Sequence, residues 1–161
     1  MSLLWTPDLA TGIDWQDEQH KKLFEEINRF IESIKHKQVQ KEVDDIFDFL
    51  SRYAKTHFVQ EEKAMQEAGF QEAASHKAEH NAFIENLTRL HAEISAQPEA
   101  RQLLAIRTRK LLSDWFFNHV SKVDKRLGDF LLSKTKAAGT GIRGGIQRWR
   151  SSNGKTTSAF R

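Results

Sequence analysis

His57 to Glu61 reads HFVQE and His76 to His80 reads HKAEH, with fourteen residues between them. Each pentapeptide sets two potential metal ligands four residues apart. On a helix that spacing stacks both side chains on one face, one turn apart. Two such pairs on adjacent helices bring four ligands to one spot. The spacing therefore predicts a helix through each pentapeptide and calls for further ligands elsewhere in the chain.

The 161 residues suit one domain with a single core, and 39% of them are hydrophobic, enough to fill it. Proline occurs only at Pro7 and Pro98, so long stretches are free to be helical. Cysteine is absent. That excludes disulfide frameworks and thiolate metal sites, and leaves histidine and carboxylate as the available metal ligands. No run approaches the ~20 consecutive apolar residues of a transmembrane helix. The opening MSLLWTPD lacks the basic start and apolar core of a secretory signal. Both features lead to the expectation of a soluble cytoplasmic protein.

The formal net charge of +3 conceals an asymmetry. From Ser133 onward there are seven basic residues and no acidic one, so the remainder of the chain carries −4 (3 − 7). A mildly acidic body with a basic tail is not the signature of a nucleic-acid-binding domain.

Read in order, residues 1–17 form an irregular arm bearing Trp5 and Trp15, expected to pack on the body and cover a core opening. Asp14 or Asp17 can cap the helix that follows. Helix one is expected over 18–37, with Leu23, Phe24, Ile27, Ile31 and Ile34 on its apolar stripe and His20 in line with them. Helix two, over 41–67, carries Val43, Ile46, Phe47, Leu50, Ala54, His57, Glu61 and Met65 on one face, and Gly69 stops it. Helix three, over 72–95, aligns His76 and His80 with Phe83, Leu87, Leu90 and Ile94. Helix four, over 99–132, aligns Leu104, Leu111, Leu112, Trp115, Phe116, His119, Val123, Leu127 and Leu131, with Asp124 five residues after His119. The expected fold is all-α: an antiparallel up-down-up-down four-helix bundle over 18–132, with an N-terminal arm and a basic, Gly/Ser-rich C-terminal extension over 133–161.

In such a bundle, side chains meet at one depth only if they come from alternating ends of successive helices. His20 starts helix one, His57 and Glu61 end helix two, His76 and His80 start helix three, and His119 and Asp124 lie late in helix four. The alternation places all seven at one end of the bundle. Seven such ligands oversupply a single ion. Two ions near six-coordination need about twelve positions. Five imidazoles and two bridging carboxylates fill about nine, a shared oxide or hydroxide fills two more, and about one stays open for a small diatomic ligand. Imidazole with carboxylate suits iron, and also manganese, zinc or cobalt. One spacing is irregular: five residues on a regular helix is roughly 140° of rotation, which separates His119 from Asp124. Either the two approach the metals from opposite flanks, or the helix widens there into a π-type turn.

These residues resemble the hemerythrin family, in particular the single-domain bacteriohemerythrins. The resemblance rests on GIDWQDEQH ending at His20, HFVQEEKAM from His57, HKAEH from His76 and HVSKVD from His119, and covers about residues 1–132. It implies a four-helix bundle with two non-haem iron ions, oxo- or hydroxo-bridged, that bind O2 reversibly. Carried over by motif, His76, His80 and His119 ligate one iron, His20 and His57 ligate the other, which keeps the open position, and Glu61 and Asp124 bridge. An apolar O2 pocket is expected from Leu23, Trp115, Phe116 and Val120, each within a turn of a ligand.

The resemblance implies an oxygen carrier, store or delivery protein and no enzyme, since no acid, base or nucleophile besides the ligands stands near the site. The alternatives are an O2 or redox sensor, for which the chain carries only a short tail as output, and a diiron protein for iron storage or for handling nitric oxide or peroxide. His36 and His91 lack ligand-spaced partners and read as surface residues. The tail, with Ile142, Ile146 and Trp149 among its basic residues, reads as a solvated extension; weak contact with an anionic membrane surface or a protein is the alternative. No oligomeric state follows from the sequence.

Overall fold

The structure, a computed structural model, describes residues 3–35 and 39–139. His36 and the tail from 140 onward, with the apolar residues considered as membrane anchors, lie outside the described residues. Four helical rods make up the fold. The first is α1 (Asp14–Lys35). The second is α2 (Val39–Tyr53), a π-helical turn (Ala54–Phe58) and α3 (Val59–Ala68) in one unbroken run. The third is α4 (Ala73–Ala96). The fourth is α5 (Arg101–Asn118), a second π-helical segment (His119–Asp124) and α6 (Lys125–Gly139). Each rod packs on the next and the fourth closes on the first, giving the expected up-down-up-down bundle. No helix among the described residues is long and apolar enough to cross a membrane.

Two boundaries differ from the sequence expectation by about four residues or more. Helix one begins at Asp14 and not at 18, and its first turns are tied to the arm by Asp17. Asp17 accepts hydrogen bonds from the backbone of Thr11 (2.7 Å) and Gly12 (3.1 Å) and from the Thr11 hydroxyl (2.9 Å). The Thr11 hydroxyl in turn accepts from the Ile13 amide. Helix four runs to Gly139 and not to 132, since the hydroxyls of Ser133 and Thr135 donate back to the carbonyls of Phe130 and Leu132, within the helix. The second rod ends as expected at Gly69, whose φ of 70° lets the Gly69 and Phe70 amides return to the carbonyls of Gln66 and Met65.

The arm covers the bundle as anticipated. Asn28 on α1 pairs with both backbone groups of Leu3 (2.7 and 2.8 Å). Trp5 lies edge-on to Phe24 at 5.5 Å. Gly128 on α6 sits so close to the arm that a Cβ there would stand 2.6 Å from the Thr11 carbonyl oxygen.

The apolar interior is divided. A large cluster runs from Leu23, Phe24 and Ile27 through Phe49, Leu50 and Phe58 to Leu112, Phe116 and Val120. A small one, of Ile13, Ala64, Met65, Leu127 and Leu131, closes one end beneath Trp15, Phe70 and Phe130. Between them lies a layer of buried polar side chains: Gln16, His20, His57, Glu61, His76, His80, His119 and Asp124.

Candidate metal centre

All five histidines and both carboxylates picked out from the sequence lie in that layer, each at most 1% exposed. Their donor atoms form two groups. Glu61, His76, His80, His119 and Asp124 make one; His20, His57, Glu61 and Asp124 make the other, and in each the donor atoms lie within 4.8 Å of one another. The two carboxylates belong to both groups. Glu61 turns Oε1 to His57 Nε2 (3.1 Å) and Oε2 to His80 Nε2 (3.1 Å) and His76 Nε2 (3.3 Å). Asp124 turns Oδ2 to His20 Nε2 (3.1 Å) and Oδ1 to His119 Nε2 (3.1 Å) and His76 Nε2 (3.2 Å).

The helices explain the convergence. His57 and Glu61 sit one turn apart on the second rod, and His76 and His80 one turn apart on α4. His119 and Asp124 share a face because the helix between them is π-helical, so the widened turn is the one of the two alternatives that occurs. A second π-turn, at Ala54–Phe58, contains His57, and no irregular spacing in the sequence signals it. Beside it Tyr53, 3% exposed, lies in the core, and Ala54 packs against that core half-buried. The Tyr53 ring stacks on His57 at 4.5 Å.

Second partners fix some of the imidazoles. His57 Nδ1 lies 2.7 Å from Gln19 Oε1, and His119 Nδ1 lies 2.9 Å from Glu79 Oε2. Since each acceptor is an oxygen, Nδ1 carries the hydrogen and Nε2 of the neutral ring offers a lone pair to the centre. Gln16 Nε2 donates to Glu61 Oε1 at 2.6 Å. Phe58 lies flat on His80, with ring centres 3.8 Å apart. The sequence reading missed Gln16, Gln19, Tyr53, Phe58 and Glu79. Their positions one or four residues from a ligand are the signal that could have found them.

The pocket candidates divide. Leu23, Phe116 and Val120 are each 1% exposed. Phe116 meets His20 edge-on at 6.3 Å and Phe24 at 4.1 Å. Trp115 instead stacks on His119 (4.4 Å) and on Phe83 (3.9 Å), against an imidazole of the three-histidine group.

The electrostatics are those of a cation site. Burial pushes both carboxyls up, and the charge of Glu61 pushes Asp124 the same way, yet the imidazoles outweigh this. His57, His76 and His80 hold Glu61 well below the usual carboxylate range, and His119 and His20 do the same for Asp124. Burial pulls His76 and His119 down, but Asp124 and Glu61 more than reverse it, lifting His76 to about 9 and raising His119. At His57 burial prevails and the imidazole is lowered. Two buried carboxylates thus stay ionised and draw protons onto neighbouring rings to balance their charge.

A metal fits this donor set better than protons do. His20 Nε2, His57 Nε2, Glu61 Oε2 and both oxygens of Asp124 are fully buried without a directional hydrogen bond, although each lies beside another donor atom. Atoms aimed at a common point, not at one another, look like this. His80 Nε2 lies 3.1 Å from His76 Nε2 and 3.1 Å from His119 Nε2. That is close to the ~3 Å between neighbouring ligands of an octahedral ion with bonds of ~2.1 Å.

Comparison with known proteins agrees. The model of the family described as Hemerythrin HHE cation binding domain matches residues 11–131. The bacteriohemerythrin of Stenotrophomonas maltophilia is 33% identical over 130 residues, covering 79% of this chain and 80% of that protein. That of Methylococcus capsulatus is 31% identical over 134 residues, covering 80% and 96%. The crystal structure of a leucine-to-alanine mutant of a hemerythrin superposes with a TM-score of 0.67 at 32% identity, covering 81% of this chain and 98% of that one.

Proposed function

Because the chain belongs to the hemerythrin family, we propose that it takes up and releases O2 at two bridged non-haem iron ions, as a carrier, store or delivery protein and not as an enzyme. The observation that carries the proposal is the split of the two carboxylates, each of which gives one oxygen to the three-histidine group and one to the two-histidine group. In this reading His76, His80 and His119 hold one iron, His20 and His57 hold the other, and Glu61 and Asp124 bridge. Three imidazoles and two carboxylate oxygens would hold one iron, and two imidazoles with the other two carboxylate oxygens would hold the second, so the side of His20 and His57 would offer the second iron one protein ligand fewer. When bound, the reduced iron pair supplies the electrons and the vacant position that hold O2 reversibly.

The side chains supply the rest. Gln19 and Glu79 orient His57 and His119 so that Nε2 faces the centre. The apolar walls of Leu23, Phe116 and Val120 keep water away, which disfavours separation of charged products and so favours release of O2 unchanged. Trp115 buttresses this region from the His119 side. A cytoplasmic location goes with this reading, and no nucleic-acid partner is called for.

Iron analysis of protein loaded anaerobically should give two ions per chain. On exposure to air, the reduced protein should develop visible charge-transfer absorption that bleaches when O2 is removed. Irreversible conversion to an oxidised form would reject reversible carriage and favour a sensor.

A further inference from the structure

Gln16 is a neutral residue in the first turn of α1 and is 0% exposed. Its Nε2 donates to Glu61 Oε1 at 2.6 Å. Glu61 Oε1 is the oxygen that faces His57, the two-histidine side of the centre. The other end of the amide, Gln16 Oε1, is buried without a hydrogen-bond partner. Turning the amide over would set its oxygen 2.6 Å from a carboxylate oxygen, acceptor against acceptor, so the orientation is dictated by Glu61. The side chain leaves its own acceptor unsatisfied in order to place a donor on one oxygen of a shared ligand, an arrangement that core packing alone does not produce.

The geometry points to Gln16 as a positioning residue that fixes Glu61 Oε1 and withdraws charge from it, tuning the iron on the His20 and His57 side toward the reduced state. The inference rests on the two-iron reading above. A carboxylate oxygen that accepts a hydrogen bond is a weaker electron donor to a metal, and ferric iron loses more from that than ferrous iron. The bond from Gln16 reaches only the oxygen that faces His57, so its effect would be directed at the two-histidine half. Gln19, by contrast, acts on the His57 ring through Nδ1.

The test compares iron-loaded wild-type protein with Gln16→Leu and with Gln16→Met, the second of which keeps the length and packing of the side chain. The readouts are the midpoint potential of the iron pair and the rate of autoxidation in air. Both variants should show a lower potential and at least threefold faster autoxidation. A merely structural side chain would lower the melting temperature and leave the potential in place. Wild-type potential and wild-type autoxidation in either variant carrying two irons per chain overturn the inference. Failure of the wild-type protein itself to take up two irons would overturn the functional reading instead, so the two failures are distinct.

Discussion

His119 and Asp124 are five residues apart on one helix, yet His119 Nε2 and Asp124 Oδ1 are 3.1 Å apart. The π-helical segment that joins them widens one turn so that positions five apart share a face. One local irregularity therefore brings a terminal imidazole and a shared carboxylate from a single rod to the same centre. The sharing sets a graded metal stoichiometry. His57→Ala removes a ligand from one group only and should leave about one iron per chain. Glu61→Ala or Asp124→Ala removes a ligand from both groups and should take iron well below that. Metal analysis of the purified variants measures this; full occupancy in Asp124→Ala would contradict the bridging assignment.

The pKa pattern fixes how the metal-free chain should respond to pH. Glu61 and Asp124 are depressed in the folded state, so their contribution is present above the ordinary carboxylate pKa of ~4 and is lost as pH falls. His76 is raised to about 9, so its contribution is complete below its ordinary value of ~6.5 and is lost as pH rises through about 9. Denaturation of iron-free protein across pH 4 to 10 should show a maximum on the mildly acidic side of neutrality (roughly pH 5 to 6.5). Metal uptake should follow the opposite slope on the alkaline side, strengthening toward pH 9 and releasing protons, because the ion displaces protons from His76 and His119.

Gly128 and Gly69 should respond differently to alanine. At Gly128 the new Cβ meets the Thr11 carbonyl oxygen at 2.6 Å and the Thr11 Cβ at 2.8 Å, so the arm must lift. Gly128→Ala should cost about 1–3 kcal/mol and alter the fluorescence of Trp5 and Trp15. At Gly69 nothing lies within 4 Å, and only the positive φ opposes a side chain. Gly69→Ala should cost about 1–2 kcal/mol and leave the arm's fluorescence unchanged.

Leu23 is 1% exposed within one turn of His20. Leu23→Ala should leave a cavity, costing about 2–5 kcal/mol, and admit water next to the two-histidine side. The expected result is unchanged iron content with faster decay of the air-exposed spectrum; an unchanged decay rate would show that Leu23 takes no part in the O2 pocket.

Much of this molecule is legible in its sequence because the ligands obey the same periodicity as the core. His20, His76 and His80 fall on apolar stripes whose depth in the bundle follows from counting along each helix. Legibility fails where one residue's environment depends on another rod. Gln16, Gln19 and Glu79 look like solvent-facing residues of amphipathic helices until the partner rod shows what they bond. The π-turn at Ala54–Phe58 is invisible to a fixed period, and the burial of Tyr53 beside Ala54, which itself packs against the core, does not follow from it. The start of α1 lies ahead of residue 18 because Asp17 sits inside the helix and reaches back to Thr11 and Gly12, a use of the side chain that composition does not reveal. The end of α6 was misplaced because serine and threonine were read as loop composition, whereas their hydroxyls are satisfied within the helix.

The divided core has a kinetic meaning. An ion held in the polar layer would be closed in from above and below by packed side chains, and opening of either of the two apolar clusters would give it a way out. The smaller of them, built on Ile13, Ala64, Met65, Leu127 and Leu131, is the one whose local opening demands less. The residence time of a bound ion should then depend on five apolar side chains outside the donor set, and mutations at that end of the bundle should change how fast metal is lost without changing how it is bound.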